Sequence, residues 1–210
     1  MYPANSPTSG TLAFTDEWAQ QIQWINNKIG GTTNGGNWQY SNTLSPGSWY
    51  FVAMTSTPTG GLLYVNGQVV ATISGAASQG SPLIYFGGSG GSGGPGCCGY
   101  NFNGMITNAQ IYDTVLSPSQ ITMLYQEGPA GVPVLLSSLV GWWPLNGNAN
   151  NYAGTFYPGY PINVIYNPMT YNALSLQNAF SISSQSVPVP VLNYSTGKYK
   201  LYNIGVYSWR

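Results

Sequence analysis

"GLLYVNGQVVATI", residues 61–73, decides how this chain is read. Two strand-like runs flank Asn66-Gly67, and an Asn-Gly pair accepts the positive φ angles of a type I′ turn. A tight antiparallel hairpin is therefore predicted. Upstream, "SWYFVAMTS" (48–56) is apolar on both faces, which predicts a central strand covered on both sides. Downstream, "SPLIYFGG" and "NGMITNAQIYD" (103–113) read as further strands, separated by the flexible loop "GGSGGSGGPG" (87–96). One short helix is predicted over 117–127. Ser117 is its N-cap, Pro118 its first residue and Gln120 completes a capping box. Ile121, Leu124 and Tyr125 form its apolar stripe, and Gly128 ends it. Residues 129–138, beginning "PAGVPVLL", read as a linker. The chain closes on "YKLYNIGVYSWR", strand composition at strand period with no turn signal after it, so that the terminus looks cut. Short β-type runs between Gly and Pro clusters predict an all-β antiparallel sandwich or jelly roll with one short helix.

Composition narrows the function. Of 210 residues 43% are apolar, enough to bury a core, yet only 4% are charged. The polar surface is then built from Asn, Gln, Ser, Thr and Tyr, and a net charge of zero favours self-association. No basic patch exists, so nucleic acid is not an expected partner. No apolar run approaches the roughly 20 residues that span a bilayer. "MYPANSPTSG" has neither a charged start nor an apolar stretch of signal-peptide type, which fits a mature or trimmed form, or a cytosolic chain. The Tyr-rich, charge-poor composition favours the outside of a cell.

Two longer stretches resemble a known family. "GSWYFVAMTSTPTGGLLYVNGQVVATISG", followed by "YNFNGMITNAQIYDTVLSPSQITMLYQEG", resembles the second half of a laminin-G-like, concanavalin A-like jelly roll. "LVGWWPLNGNANNYAGTFYPGYPINVIY", with "NALSLQNAFSI", resembles its first half, most closely the laminin-G-type repeats of archaeal cell-surface proteins. Residues 1–43 resemble it weakly. The halves stand in permuted order: residues 1–128 correspond to the C-terminal half, 129–138 to a linker and 139–210 to the N-terminal half. The resemblance implies that residues 139–210 complete a domain in the same copy or a neighbouring one. Three arrangements satisfy this: a closed permutant, one period of a tandem array, or head-to-tail exchange between copies. A half sandwich has open edges and too little buried surface to stand alone. Repeating exchange that does not close a ring grows a filament, and this is the expected arrangement.

Few residues point to chemistry. The carboxylates Asp16 and Glu17 are adjacent, so on a strand they point to opposite faces, while Asp113 falls at a predicted turn. That pattern does not make the facing pair of a glycosidase. With no histidine in the chain there is no Ser-His triad and no histidine-bound metal. No enzymatic activity, metal or cofactor is expected. Cys97-Cys98 is the only thiol pair. Neighbouring Cα atoms lie about 3.8 Å apart, below the usual disulfide range of about 4.4–6.8 Å. The options are a strained vicinal disulfide, bonds to another chain, or free thiols, and an extracellular β protein favours the oxidised forms. Asn193 heads a glycosylation sequon, Asn193-Tyr194-Ser195, in a turn-like stretch. Tryptophans stack on sugar faces. Trp49, Trp142 and Trp143 lie in strand-like runs and are expected in the core, leaving Trp18, Trp24 and Trp38 as sugar-stacking candidates. The expectation is thus a structural or adhesive extracellular surface protein whose main partner is itself. A carbohydrate-binding, lectin-like module with glycans as partners is the alternative.

Overall fold

The computed structural model describes residues 1–16, 19–33, 36–75, 83–88, 100–153, 159, 161 and 164–166, and the backbone of 183–193 and 198–208. It divides into two compact units, Met1–Pro168 and Met169–Arg210.

In the first unit the Asn66-Gly67 turn forms as expected, with φ of 50° and 77°. It joins β7 (Gly60–Val65) to β8 (Gln68–Ser74), and β6 (Val52–Thr57) pairs with the other side of β7. A second sheet of five strands has the order β5-β4-β3-β2-β9. Its members are β2 (Thr11–Thr15), β3 (Gln21–Ile25), β4 (Lys28–Thr32), β5 (Gln39–Tyr40) and β9 (Tyr85–Phe86). The turn between β3 and β4 is Asn26-Asn27, both at positive φ (47° and 59°). Asparagine tolerates the left-handed region, so this pair acts as Asn-Gly does elsewhere.

The core lies between these sheets. Trp24 and Ile29 of the five-stranded sheet meet Leu63, Val65 and Ile73 of the three-stranded one. The opposite face of the three-stranded sheet is covered by α1 (Pro118–Glu127), whose Ile121 and Leu124 pack with Leu116 on Tyr64. Both capping-box bonds of Ser117 and Gln120 are made, and Gly128 ends the helix at φ 75°. β7 is therefore buried on both faces, and packing on both sides rather than propensity holds it in place.

Two short ladders complete this unit. β1 (Tyr2–Pro3) pairs with β10 (Gly104–Met105), and β11 (Ala109–Tyr112) pairs with β12 (Leu139–Trp143). The stretch 103–113, expected as one strand, is broken between β10 and β11 where Asn108 turns to φ 51°. The expected linker packs against the fold: Val134 donates its N–H to the Tyr112 hydroxyl, and Leu136–Ser138 form a 3-10 turn. The described residues of the second unit form one antiparallel pair, β13 (Ser183–Asn193) with β14 (Lys198–Ser208).

The expectation for 48–56 needs correction. β6 is covered on both faces, by Val52 and Met54 toward the inter-sheet core and by Phe51 and Ala53 toward the helix side. Yet it is not central, for it ends the order β6-β7-β8. Trp49, expected in the core, is 40% exposed and leans on Tyr2 with ring centroids 5.6 Å apart.

Gly67→Ala is expected to lower stability by about 1–2 kcal/mol, the cost of a left-handed Cβ. The added Cβ would also sit 3.0 Å from Tyr125 Cδ1. Gly128→Ala, at similar φ with open space around it, is expected to cost less. Urea denaturation of both variants checks the order.

Candidate functional site

A cleft of about 840 Å³ opens beside β6. Its floor is the inner face of the five-stranded sheet, where Ala13, Phe14, Ile22 and Phe86 line it. One wall is β6 from Val52 to Thr57, and the other is β11 with its flanks, from Ile106 to Val115. Ile121, Leu124 and Tyr125 of the helix also reach it. The lining is mostly apolar.

The walls are strand edges with main-chain groups turned into the cleft. Asn66 donates its N–H to Phe51 O at 2.9 Å, which makes 51–66 a hydrogen-bonded pair. In an antiparallel ladder such pairs alternate. Val52, Met54 and Ser56 therefore point their N–H and C=O groups away from β7. Among the described residues nothing pairs with them. On the other wall Trp142, opposite Gln110, donates its N–H to Asn151 Oδ1 at 2.9 Å and accepts the Tyr152 N–H at 2.7 Å. The 110–142 pair is thus one without mutual bonds, and Gln110 and Tyr112 turn their main-chain groups from β12 by the same alternation. Two open edges thus face each other over an uncovered apolar floor.

A second cluster lies on the outer face of the β11-β12 ladder. Trp143 points inward onto Phe86, ring centroids 5.4 Å apart. Trp142, its neighbour, points to the other face, as strand alternation requires. It meets Tyr152, which is 52% exposed, edge-on at 6.0 Å. The Trp142 indole N–H donates to Asn108 Oδ1 at 2.8 Å, and Gln110 Nε2 donates to the same oxygen at 3.0 Å. Tyr112 O–H donates to Gln110 Oε1 at 2.7 Å, and Asn148 Nδ2 approaches the Tyr152 hydroxyl at 3.4 Å. Half-buried and exposed rings flanked by amides make an amphipathic platform.

The residues singled out from sequence fare differently. Trp24 is fully buried, and its indole N–H donates to Asn5 O at 2.6 Å. Its ring forms part of the core and has no free face for a sugar. Its neighbours Gln21 and Gln23 read as surface residues but are buried too, bonded to Thr15 Oγ1 and Tyr40 Oη. Trp38 is half-buried beside β5. Trp18, Glu17, Cys97 and Cys98 lie outside the described residues. Asn193 is the last residue of β13, opposite Lys198, with its side chain outside the described part. Trp142, expected in the core, is the tryptophan on the outer platform. Asp113 is exposed, and its N–H donates to Ser138 O at 3.0 Å. Among the described residues no three His, Cys, Asp or Glu side chains gather as a metal site. No helix among them is long and apolar enough to cross a membrane.

Comparison with known proteins places this geometry. Residues 1–122 match the profile of a laminin-G-type family described as the concanavalin A-like lectin/glucanases superfamily. The match begins at residue 1 and so takes in residues 1–43, whose motifs alone resemble it weakly. No curated protein matches the chain. Among solved structures, a protein of Bacteroides ovatus designated a candidate carbohydrate-binding protein shares the fold at TM-score 0.56 and 16% identity. The alignment covers 73% of this chain and 47% of that one, so this chain spans about half of that protein's length. An S-layer domain-containing protein of Clostridium thermocellum aligns at 21% identity over 60% of this chain and 67% of its own. Its TM-score is 0.31.

Asp16 gives this unit a pH signature. It follows β2, is buried, and its carboxylate accepts the Gln20 N–H. Burial pushes its carboxyl above the usual value of 3.8, against the pull of the backbone N–H bonds. The folded state then holds the proton to higher pH than the unfolded chain, so this contribution to stability is lost as pH rises through the folded pKa. Asp16→Asn is expected to gain on the wild type as pH rises from about 3 to 7 in urea titrations. A pH-independent difference would contradict it.

Proposed function

The chain belongs to the concanavalin A-like lectin/glucanases superfamily, and on that premise we propose that it is a non-enzymatic extracellular surface protein of structural and adhesive type. It is a subunit of a filament or array assembled head-to-tail by β-strand complementation. The observation that carries this reading is the pairing of two deficits. The first unit has an apolar cleft between two open strand edges. The described residues of the second are two paired strands, and an isolated two-stranded pair is marginal in water. Each supplies what the other lacks, by main-chain hydrogen bonding and apolar burial, as in β-augmentation. In this reading residues 139–210 supply the family domain's first half. Exchange between copies in permuted order is heterologous and propagates. The near absence of charge removes the repulsion that would oppose a dense array. Cys97 and Cys98 act in oxidised form, bonded to each other or across copies, and Asn193 carries a glycan.

One observation favours a second reading. The platform of Trp142 and Tyr152, flanked by Gln110 and Asn148, has the ring-plus-amide chemistry that binds a sugar face and its hydroxyls.

Electron microscopy and light scattering of the purified chain separate the two. Fibres that lengthen with concentration are the expected outcome; single copies at every concentration would refute assembly. A glycan array tests the platform. Binding that disappears in Trp142→Ala and Tyr152→Ala would support the second reading, and binding by single copies without fibres would replace the first with it.

A further inference from the structure

We propose that the cleft between β6 and β11 takes a single strand, β14 of a second copy, lying antiparallel to β6 in line with β1. This rests on the assembly reading above and names its donor and acceptor.

The width of the slot follows from β1. Met1 and Tyr50 exchange two main-chain hydrogen bonds, of 2.7 and 2.8 Å. On its other side β1 pairs with β10, Tyr2 opposite Met105 and Pro3 opposite Gly104. One strand therefore bridges the segment entering β6 and the segment leading to β11, so at that end the gap is one strand wide. Tyr50 uses its N–H and C=O on Met1. Val52, Met54 and Ser56 continue the same alternating series along the slot. A strand that carries on the line of β1 meets them in register, with Gln110 and Tyr112 on its other side.

An occupant with neighbours on both edges needs N–H groups on both. β13 carries Pro188 and Pro190, which have none. Two residues apart, both lack their donor on the same edge. Proline is confined to edge strands for this reason, so β13 is built to stay outside. β14 contains no proline over Lys198–Ser208 and, at 11 residues, exceeds the 6 of β6. Its alternate positions read Tyr202, Ile204, Val206, an apolar row suited to the floor of Phe14, Ile22 and Phe86. On seating, β14 exchanges one ladder, with β13, for two, with β6 and β11, and the floor is covered at the same time.

The test uses full-length variants. Ile204→Pro removes a donor from β14, and Ser56→Pro removes one from the open edge of β6 while leaving its ladder to β7. Each alone is expected to run as single copies. Mixed, they are expected to give pairs of twice the single-copy mass and nothing longer, because one intact donor meets one intact acceptor. Ser186→Pro, on β13, is expected to assemble like the wild type. If Ile204→Pro and Ser56→Pro form fibres as the wild type does, the slot and its donor are wrong while assembly stands. If Ser186→Pro abolishes fibres, the donor is the whole hairpin and the single-strand claim fails. A synthetic peptide of residues 198–208 added to wild type covers the case of misfolded variants. It is expected to shorten fibres and raise the unfolding temperature, and a peptide of residues 183–193 is expected to do neither. Equal effects of the two peptides, or none from the first, overturn the choice of β14. A wild type that never assembles yet is stabilised by the first peptide alone refutes the second copy and the assembly reading, and keeps only the strand.

Discussion

The structure turns on the open edge of β6. Its leading part, Val52–Met54 with Phe51 ahead of it, is apolar and packed on both faces, the condition of a strand inside a sheet. Its outer row of main-chain groups nevertheless faces a cleft. Such edges are normally short, charged, proline-bearing or covered, and "VAMTST" has neither charge nor proline. Strand composition and strand position conflict here, and a neighbouring strand resolves the conflict. The uncovered floor of the five-stranded sheet and the open edge of β11 call for the same element.

Around that edge the fold is well determined. The Asn66-Gly67 turn fixes the register of β7 against β8, and register decides which side chains enter the core. Leu63 and Val65 go inward onto Trp24, while Leu62 and Tyr64 go outward beneath the helix. The capping box sets where that helix starts, and hence where Ile121 and Leu124 land. The first unit thus has a frame with an open slot, and the described residues of the second unit are two paired strands.

Much of this frame was legible in the sequence because it depends on local chemistry. Asn-Gly, the Ser117–Gln120 box and Gly128 each act over a few residues. What the sequence did not reveal depends on distant partners. Trp24 sits among glutamines and reads as surface, but Gln21 and Gln23 find buried partners in Thr15 and Tyr40. Trp49 and Trp142 sit in strand-like runs and read as core, but Trp49, ahead of β6, meets Tyr2, and Trp142, on the outer face of β12, meets Tyr152, both near solvent. The Asn26-Asn27 turn was a missed signal that its left-handed tolerance offered. The break at Asn108 was not apparent, since one residue at positive φ interrupts an otherwise regular apolar alternation. The apolar faces of β6 were legible; its open edge was not, because pairing is a property of the neighbour and not of the strand.

Amide hydrogen exchange in the concentrated and the dilute protein tests the central claim most directly. The account expects the amides of Val52, Met54 and Ser56 to be protected in the assembled state and to exchange freely on dilution, while those of Ala53, Thr55 and Thr57, bonded within the β6-β7 ladder, stay protected in both. Free exchange of the first three at every concentration would contradict it.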